Sequence, residues 1–260
     1  MVTVRDRLRA LFEAPEAAVY LVATGTAANS LAIATQVHPW SRVWCHKHAH
    51  IEEDECNAPE FYAGGMKLSL LEGDHAKIDA DGLAQALAEA PGGVHHAQPG
   101  LLSLTNLTER GARYTVAEIT RLAGLAKAHG LPVHLDGARF ANALVAEGCT
   151  PAEMTWKAGV DVLSFGGTKN GLMGVEAVVL FDPDKAWEFE LRRKRGGHLF
   201  SKHRFLSAQM AAYLEGDLWL SLARHANAMA ERLEAGLVAA GVRLVHPRGG
   251  NMLVAEFPLK

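Results

Sequence analysis

Short apolar runs alternate with longer stretches in which apolar residues recur every three or four positions, so strands and helices are expected to take turns along the chain. Val19-Tyr20-Leu21-Val22 reads as a strand, Ala23-Thr24-Gly25-Thr26 as the turn after it, and Ala27 to Gln36 as a helix. Further strands are expected at Arg42-Val43-Trp44-Cys45, Lys67-Leu68-Ser69-Leu70 and Leu101-Leu102-Ser103-Leu104. Thr115 with Glu118 three residues on is a capping box; Ile119, Leu122 and Ala126 follow at helical spacing, and Gly130 stops the helix. Pro132-Val133-His134-Leu135 is the next strand, followed by Val160 to Phe165 and Glu176 to Phe181. This order predicts an α/β domain with a mostly parallel sheet. From Ser207 the periodicity is helical through Ala240, and Gly241 to Phe257 reads as the start of a smaller α+β unit. The expected organisation is a large domain over residues 1–205 and, over residues 206–260, a small C-terminal domain cut short at one long helix and two strands.

Composition narrows the function classes. With 49% apolar and 21% charged residues, 260 residues can bury a large core. The net charge of −3 provides no basic stripe for a phosphate backbone, and the longest basic run, Arg192 to Arg195, is brief, which counts against nucleic acid as a partner. Cys45, Cys56 and Cys149 are odd in number and lack Cys-x-x-Cys spacing, which argues against a disulfide framework and a thiolate zinc site and fits a reducing cytoplasm. No run approaches the roughly 20 apolar residues of a membrane span, and Met1 to Arg5 leads into an amphipathic helix without a signal-peptide core. The expectation is a cytoplasmic protein, neither exported nor anchored.

Two residues then carry the chemistry. Asp136 follows one strand, and Lys169 sits in the Gly166-Gly167-Thr168-Lys169 turn after another, both at strand C-termini where open α/β sheets bind ligands. A lysine forms a Schiff base with an aldehyde cofactor, and a buried carboxylate facing a pyridine nitrogen keeps it protonated, so the pair describes a pyridoxal 5'-phosphate (PLP) site. Taken singly each has a plainer reading: Asp136 before Gly137 as a turn or cap residue, Lys169 beside Asn170-Gly171 as a solvated turn lysine. The Gly25-Thr26 turn opens a helix and so offers backbone N–H groups and a hydroxyl to a phosphate, or is a tight connection with Thr26 as N-cap.

The segments 23–29, His48-Ala49-His50-Ile51, His134-Leu135-Asp136-Gly137-Ala138-Arg139 and 164–171 resemble the threonine aldolases, a family of fold-type I PLP enzymes. That resemblance runs from about Arg5 to the end, and it implies a fold-type I PLP-dependent transferase-like domain. By it, Lys169 binds the cofactor covalently, Asp136 pairs with the ring nitrogen, Gly25 and Thr26 hold the phosphate, and His50 stacks on the ring. Arg139 is implied to bind the substrate carboxylate, and His95 to take the β-hydroxyl proton. The implied reaction cleaves L-threonine, L-allo-threonine or a related β-hydroxy-α-amino acid to glycine and an aldehyde, in a homodimer or homotetramer. β-Elimination on the same cofactor is the alternative within the fold, and a truncated, non-catalytic PLP-binding protein the alternative outside it.

His46, His48 and His50 alternate, and on a strand they would share one face as a metal-binding set does, with the acids 52–55 at hand; one stacking histidine with two surface neighbours is the simpler reading. His96 is expected as a pocket wall. Arg192 to His198 is expected as a solvated helix end or as a reach toward a phosphate across a subunit boundary. Against the family, the chain is expected to lack a leading segment of a few dozen residues and much of the C-terminal domain.

Overall fold

In the computed structural model, which describes residues 2–257, every apolar run identified above becomes a strand. Helix α1 (Val2–Leu11) precedes β1 (Ala18–Val22), α2 (Gly25–Gln36), β2 (Ser41–His46), the short α3 (His50–Glu53) and α4 (Ala58–Tyr62), and β3 (Lys67–Leu71). Then come α5 (Ala80–Ala88), β4 (Gln98–Thr105), α6 (Val116–Ala128), β5 (Val133–Gly137), α7 (Phe140–Glu147), β6 (Val162–Gly166) and β7 (Glu176–Leu180). The chain continues through α8 (Ala186–Arg195), α9 (Arg204–Tyr213) and α10 (Leu218–Ala239) to the small pair β8 (Arg243–Leu244) and β9 (Ala255–Glu256).

The seven strands form one sheet in the order β1-β7-β6-β5-β4-β2-β3. Strands β3, β2, β4, β5 and β6 are parallel; β7 runs antiparallel to both β6 and β1. The central strands β5, β6 and β7 are buried along their whole length, as expected for a sheet covered on both faces. One large apolar cluster joins α1, α6 and α7 to the sheet through Leu8, Phe12, Ile119, Phe140 and Phe165. A second, built on Val22, Ala28, Leu31 and Phe189, fixes α2 against the sheet's β1 side.

Local chemistry explains where two expectations shift. Helix α2 begins at Gly25 rather than Ala27 because Thr24 is its N-cap, the Thr24 Oγ1 accepting the Ala27 N–H at 3.1 Å. The helical stretch expected from Ser207 to Ala240 is two helices, broken where Gly216 (φ 56°) and Asp217 (φ 57°) adopt left-handed backbone. The capping box is present as read: Glu118 N–H donates to Thr115 Oγ1 and Thr115 N–H to Glu118 Oε2. Helix α10 packs on α7 through paired amides, Asn142 Nδ2 donating to Asn227 Oδ1 at 3.1 Å and Asn227 Nδ2 to the Asn142 carbonyl at 3.0 Å. Pro258, Leu259 and Lys260, the last residues of the expected small domain, lie outside the described residues. Among the described residues no helix is long and apolar enough to cross a membrane.

Candidate active site

Parallel strands deliver their C-terminal ends to one edge, and there the polar groups collect. Asp136, near the end of β5 and 2% exposed, accepts the Ala138 N–H through Oδ1 and the Asn29 amide through Oδ2, both at 2.9 Å. The same Asn29 Nδ2, carried on α2, donates to Glu55 Oε1 at 2.8 Å. That oxygen also faces the His50 Nδ1 at 2.7 Å. His50 opens α3 and its backbone N–H donates to Glu109 Oε1 at 2.9 Å. A continuous hydrogen-bonded chain therefore runs His50, Glu55, Asn29, Asp136.

Burial and neighbouring charge set the protonation of these groups. The hydrogen bond to Glu55 holds the His50 imidazolium above its ordinary range against its own desolvation. Burial raises the Glu55 carboxyl, and burial followed by repulsion from Asp136 pushes Glu109 up to about 7. Arg139, half-buried at the N-cap of α7, is lowered by burial while Glu109 and Asp136 oppose the shift. Attractive fields from two carboxylates thus act on a guanidinium with no ion-pair partner among the described residues.

The Lys169 turn exists because two glycines allow it. A Cβ on Gly166 would lie 2.3 Å from the Ala138 carbonyl oxygen, and one on Gly167 2.6 Å from that of Val175. The Gly167 N–H donates to Glu176 Oε2 at 2.6 Å, and Asn170 Nδ2 donates to the Tyr213 hydroxyl at 2.6 Å and to the Trp219 carbonyl at 2.9 Å. Pinned on both sides, the turn leaves Lys169 exposed, and its ammonium has no hydrogen bond or ion pair among the described residues. Since Thr24 and not Thr26 caps α2, Gly25 and Thr26 sit at the helix mouth uncommitted to the cap, and the space beside Gly25 is open for 4 Å.

These residues fit PLP. Asp136 suits a ring N–H, Lys169 an aldehyde, the α2 N-terminus a phosphate, and His50 a ring face. Three buried polar atoms, Asn29 Oδ1, Ser30 Oγ and Glu55 Oε2, have no partner among the described residues and lie on the same elements.

Not every expected residue arrives. His95 lies in the exposed loop before Gln98, where β4 begins, whereas Asp136 aligns with Thr105 at the other end of that strand. At about 3.3 Å per residue, His95 stands more than about 20 Å from Asp136 along the sheet. His96, expected as a pocket wall, is exposed on the same loop. The alternating histidines do not share a strand face either, because β2 ends at His46. His46 faces the Gly73 carbonyl at 3.1 Å and His48 pairs with Glu53 at 2.6 Å, leaving only His50 turned to Asp136. Arg192 bonds Glu188 and the Tyr62 carbonyl, and Arg193 is buried against Glu190 and His203.

The structure adds Asn29, Glu55, Glu109 and Glu176, none of which stood out from sequence. Asn29 had a readable signal, an amide inside the apolar run Ala27 to Ala32. Glu55 did not, since it closes an acidic run whose other members are exposed. His134, one pleat below Asp136, is fully buried between the Ser103 hydroxyl (2.9 Å) and the Ser164 hydroxyl (3.1 Å), and burial lowers it to about 4.

Comparison with known proteins agrees with this edge of the sheet. A profile of the family described as β-eliminating lyase matches residues 1–257. The low specificity L-threonine aldolase of Pseudomonas aeruginosa is 44% identical over 248 residues, 95% of this chain and 71% of its own length. The enzyme of the same name from a Pseudomonas species is 42% identical over the same shares. Among solved structures, a threonine aldolase of Leishmania major superposes with a TM-score of 0.90 at 31% identity, over 97% of this chain and 73% of that one.

Proposed function

This chain belongs to the β-eliminating lyase family, among its threonine aldolases, and from that premise we propose that it cleaves L-threonine, L-allo-threonine or a related β-hydroxy-α-amino acid to glycine and an aldehyde. It is a PLP-dependent lyase of fold type I. Bound at this edge, PLP supplies an electron sink for the bonding pair of the breaking Cα–Cβ bond.

The chain's own residues divide the remaining work. Lys169 would anchor the cofactor through its amine, and Asp136, held by Asn29 and the Ala138 N–H, would keep a proton on the ring nitrogen. The N–H groups of Gly25 and Thr26 at the start of α2 hold the phosphate. Arg139 offers the substrate carboxylate a planar two-pronged donor already desolvated by its surroundings. We assign the removal of the β-hydroxyl proton to His50, because His95 of the same chain is at the far edge of the sheet and could enter such a pocket only from a second copy. The observation carrying the reading is the hydrogen-bonded chain from buried Asp136 to half-buried His50, beside an unpaired lysine.

Residues 1–205 are read as the cofactor-binding unit and residues 206–260 as a smaller one. The three cysteines are free, in keeping with a reducing cytoplasm. Assembly as at least a dimer is supported by exposed apolar side chains on one surface, Phe61 and Leu191 beside a cavity of about 670 Å³ with Trp187 nearby in sequence.

Purified protein with added PLP tests the proposal: glycine and acetaldehyde from threonine are expected, whereas pyruvate and ammonia from serine would assign β-elimination and a colourless protein a non-catalytic role. Borohydride reduction and peptide mapping should place the pyridoxyl label on Lys169. A label on Lys67, Lys127 or Lys185 would refute the site.

A further inference from the structure

We propose that Glu55 is a positioning residue that fixes the tautomer and the charge of His50 for proton transfer. The inference rests on the reading of His50 as the base and goes beyond it by naming what makes that imidazole competent.

The geometry is that of a carboxylate–imidazole pair with one partner wholly withdrawn from water. The Glu55 side chain is 0% exposed and the His50 side chain 29% exposed, so one ring nitrogen is buried against the acid and the other is left for substrate. With Glu55 Oε1 at 2.7 Å, His50 carries its hydrogen on Nδ1, and Nε2 keeps a free lone pair. In the transfer, Nε2 takes the proton of the β-hydroxyl while Nδ1–H stays on the ring. The imidazolium so formed is balanced by the adjacent carboxylate, and the same proton leaves Nε2 as the glycine carbon is protonated.

Two features show that the carboxyl is held there and has not drifted in. Glu55 is followed by Cys56 (φ 50°) and Asn57 (φ 58°), consecutive left-handed residues of which neither is glycine, a costly backbone that fixes the turn leaving Glu55. Asn29 then ties the same oxygen to the site by donating from one amide to both Glu55 and Asp136. The groups facing the pair are Glu109 from the loop after β4, Asp136 from β5 and Lys169 from the turn after β6; the carboxylates favour the imidazolium and the lysine opposes it. Glu55 lies closest, and the hydrogen bond to it is the largest influence on the ring.

The test is histidine ¹⁵N NMR of the holoenzyme across pH, beside a pH profile of kcat/KM. The wild type should show the Nδ1–H tautomer for His50 and a midpoint above the ordinary histidine range. Glu55→Gln keeps the shape and removes the charge. It should lower the His50 midpoint by about one pH unit or more, as loss of a bonded opposite charge does, and move the acidic limb of kcat/KM down with it. Glu55→Asp, charge retained, should restore the midpoint and lose kcat. An unchanged midpoint and limb in Glu55→Gln would overturn the proposal, and so would an Nε2–H tautomer in the wild type, which is read even if the variants fail to fold. The midpoints are measured without substrate, so a protein with the expected midpoints and no cleavage sinks the aldolase reading while supporting the Glu55–His50 pair.

Discussion

Asp136 and His134 sit two residues apart on one strand and are buried to the same degree, yet their surroundings give them opposite tasks. Asp136 has two donors, and an acid so held suits a ring N–H. Asp136→Asn should therefore leave PLP bound, by absorbance, and lower turnover on the order of 10²-fold, since a neutral amide cannot retain the pyridinium proton; undiminished turnover would end the assignment. His134 has two hydroxyl partners and is held neutral at about 4, far below the 6.5 of an unfolded histidine. The unfolded chain thus binds the extra proton first, so the stabilising contribution is complete above pH 6.5 and is lost as pH falls toward 4, about 3 kcal/mol in all. Melting curves between pH 7 and 4 should show that loss, and a His134→Asn variant should flatten it. Asp136 and Lys169 could be singled out because each sits beside a strand end that periodicity locates, and Arg139 only through the resemblance carried by residues 134–139. Glu55 and Glu109 were not, because a carboxylate's burial depends on which loop folds over it, and neighbouring acids in the sequence look alike.

At the level of elements, the strands were legible because strands buried on both faces are continuous apolar runs, and the start of α6 because its capping box is written in two residues, whereas at α2 two adjacent threonines offered a cap and Thr24 took it. What sequence could not give was order across the sheet; His95 was placed by the resemblance alone, although it precedes the Leu101–Leu104 run and so falls at the amino-terminal end of a parallel strand. The approach of β6 to β5 depends on Gly166, where any side chain meets the Ala138 carbonyl. Gly166→Ala should cost about 3 kcal/mol and abolish the PLP absorbance by displacing the Lys169 turn; a variant that keeps both would show that the strands can spread. The capping box of α6 begins at this same edge, one residue after Tyr114, which is bonded to Asn106, but neither of its residues belongs to the hydrogen-bonded chain of the site. Thr115→Ala should cost about 1 kcal/mol, with activity per folded molecule unchanged.

For the molecule as a whole, fold class could be read from the chain, whereas the exposed apolar face proposed for a second copy could not, because exposure of Phe61, Trp187 and Leu191 is a property of the folded surface. Activity per subunit should fall as dilution dissociates the oligomer on a sizing column; a fully active monomer would remove the reason for a shared pocket. One feature of the sheet also governs how the protein is made. Strand β1 has β7 as its only partner among the described residues, Val19 lying against Val179. A ribosome adding about 5–20 residues per second needs roughly 10–30 s to synthesise the stretch between them. For that interval Tyr20, Leu21 and Val22 have no strand among the described residues to join, and this apolar segment waits unpaired on the nascent chain. A codon-slowed stretch ahead of Glu176 should lower the soluble yield more than the same delay placed after Leu180.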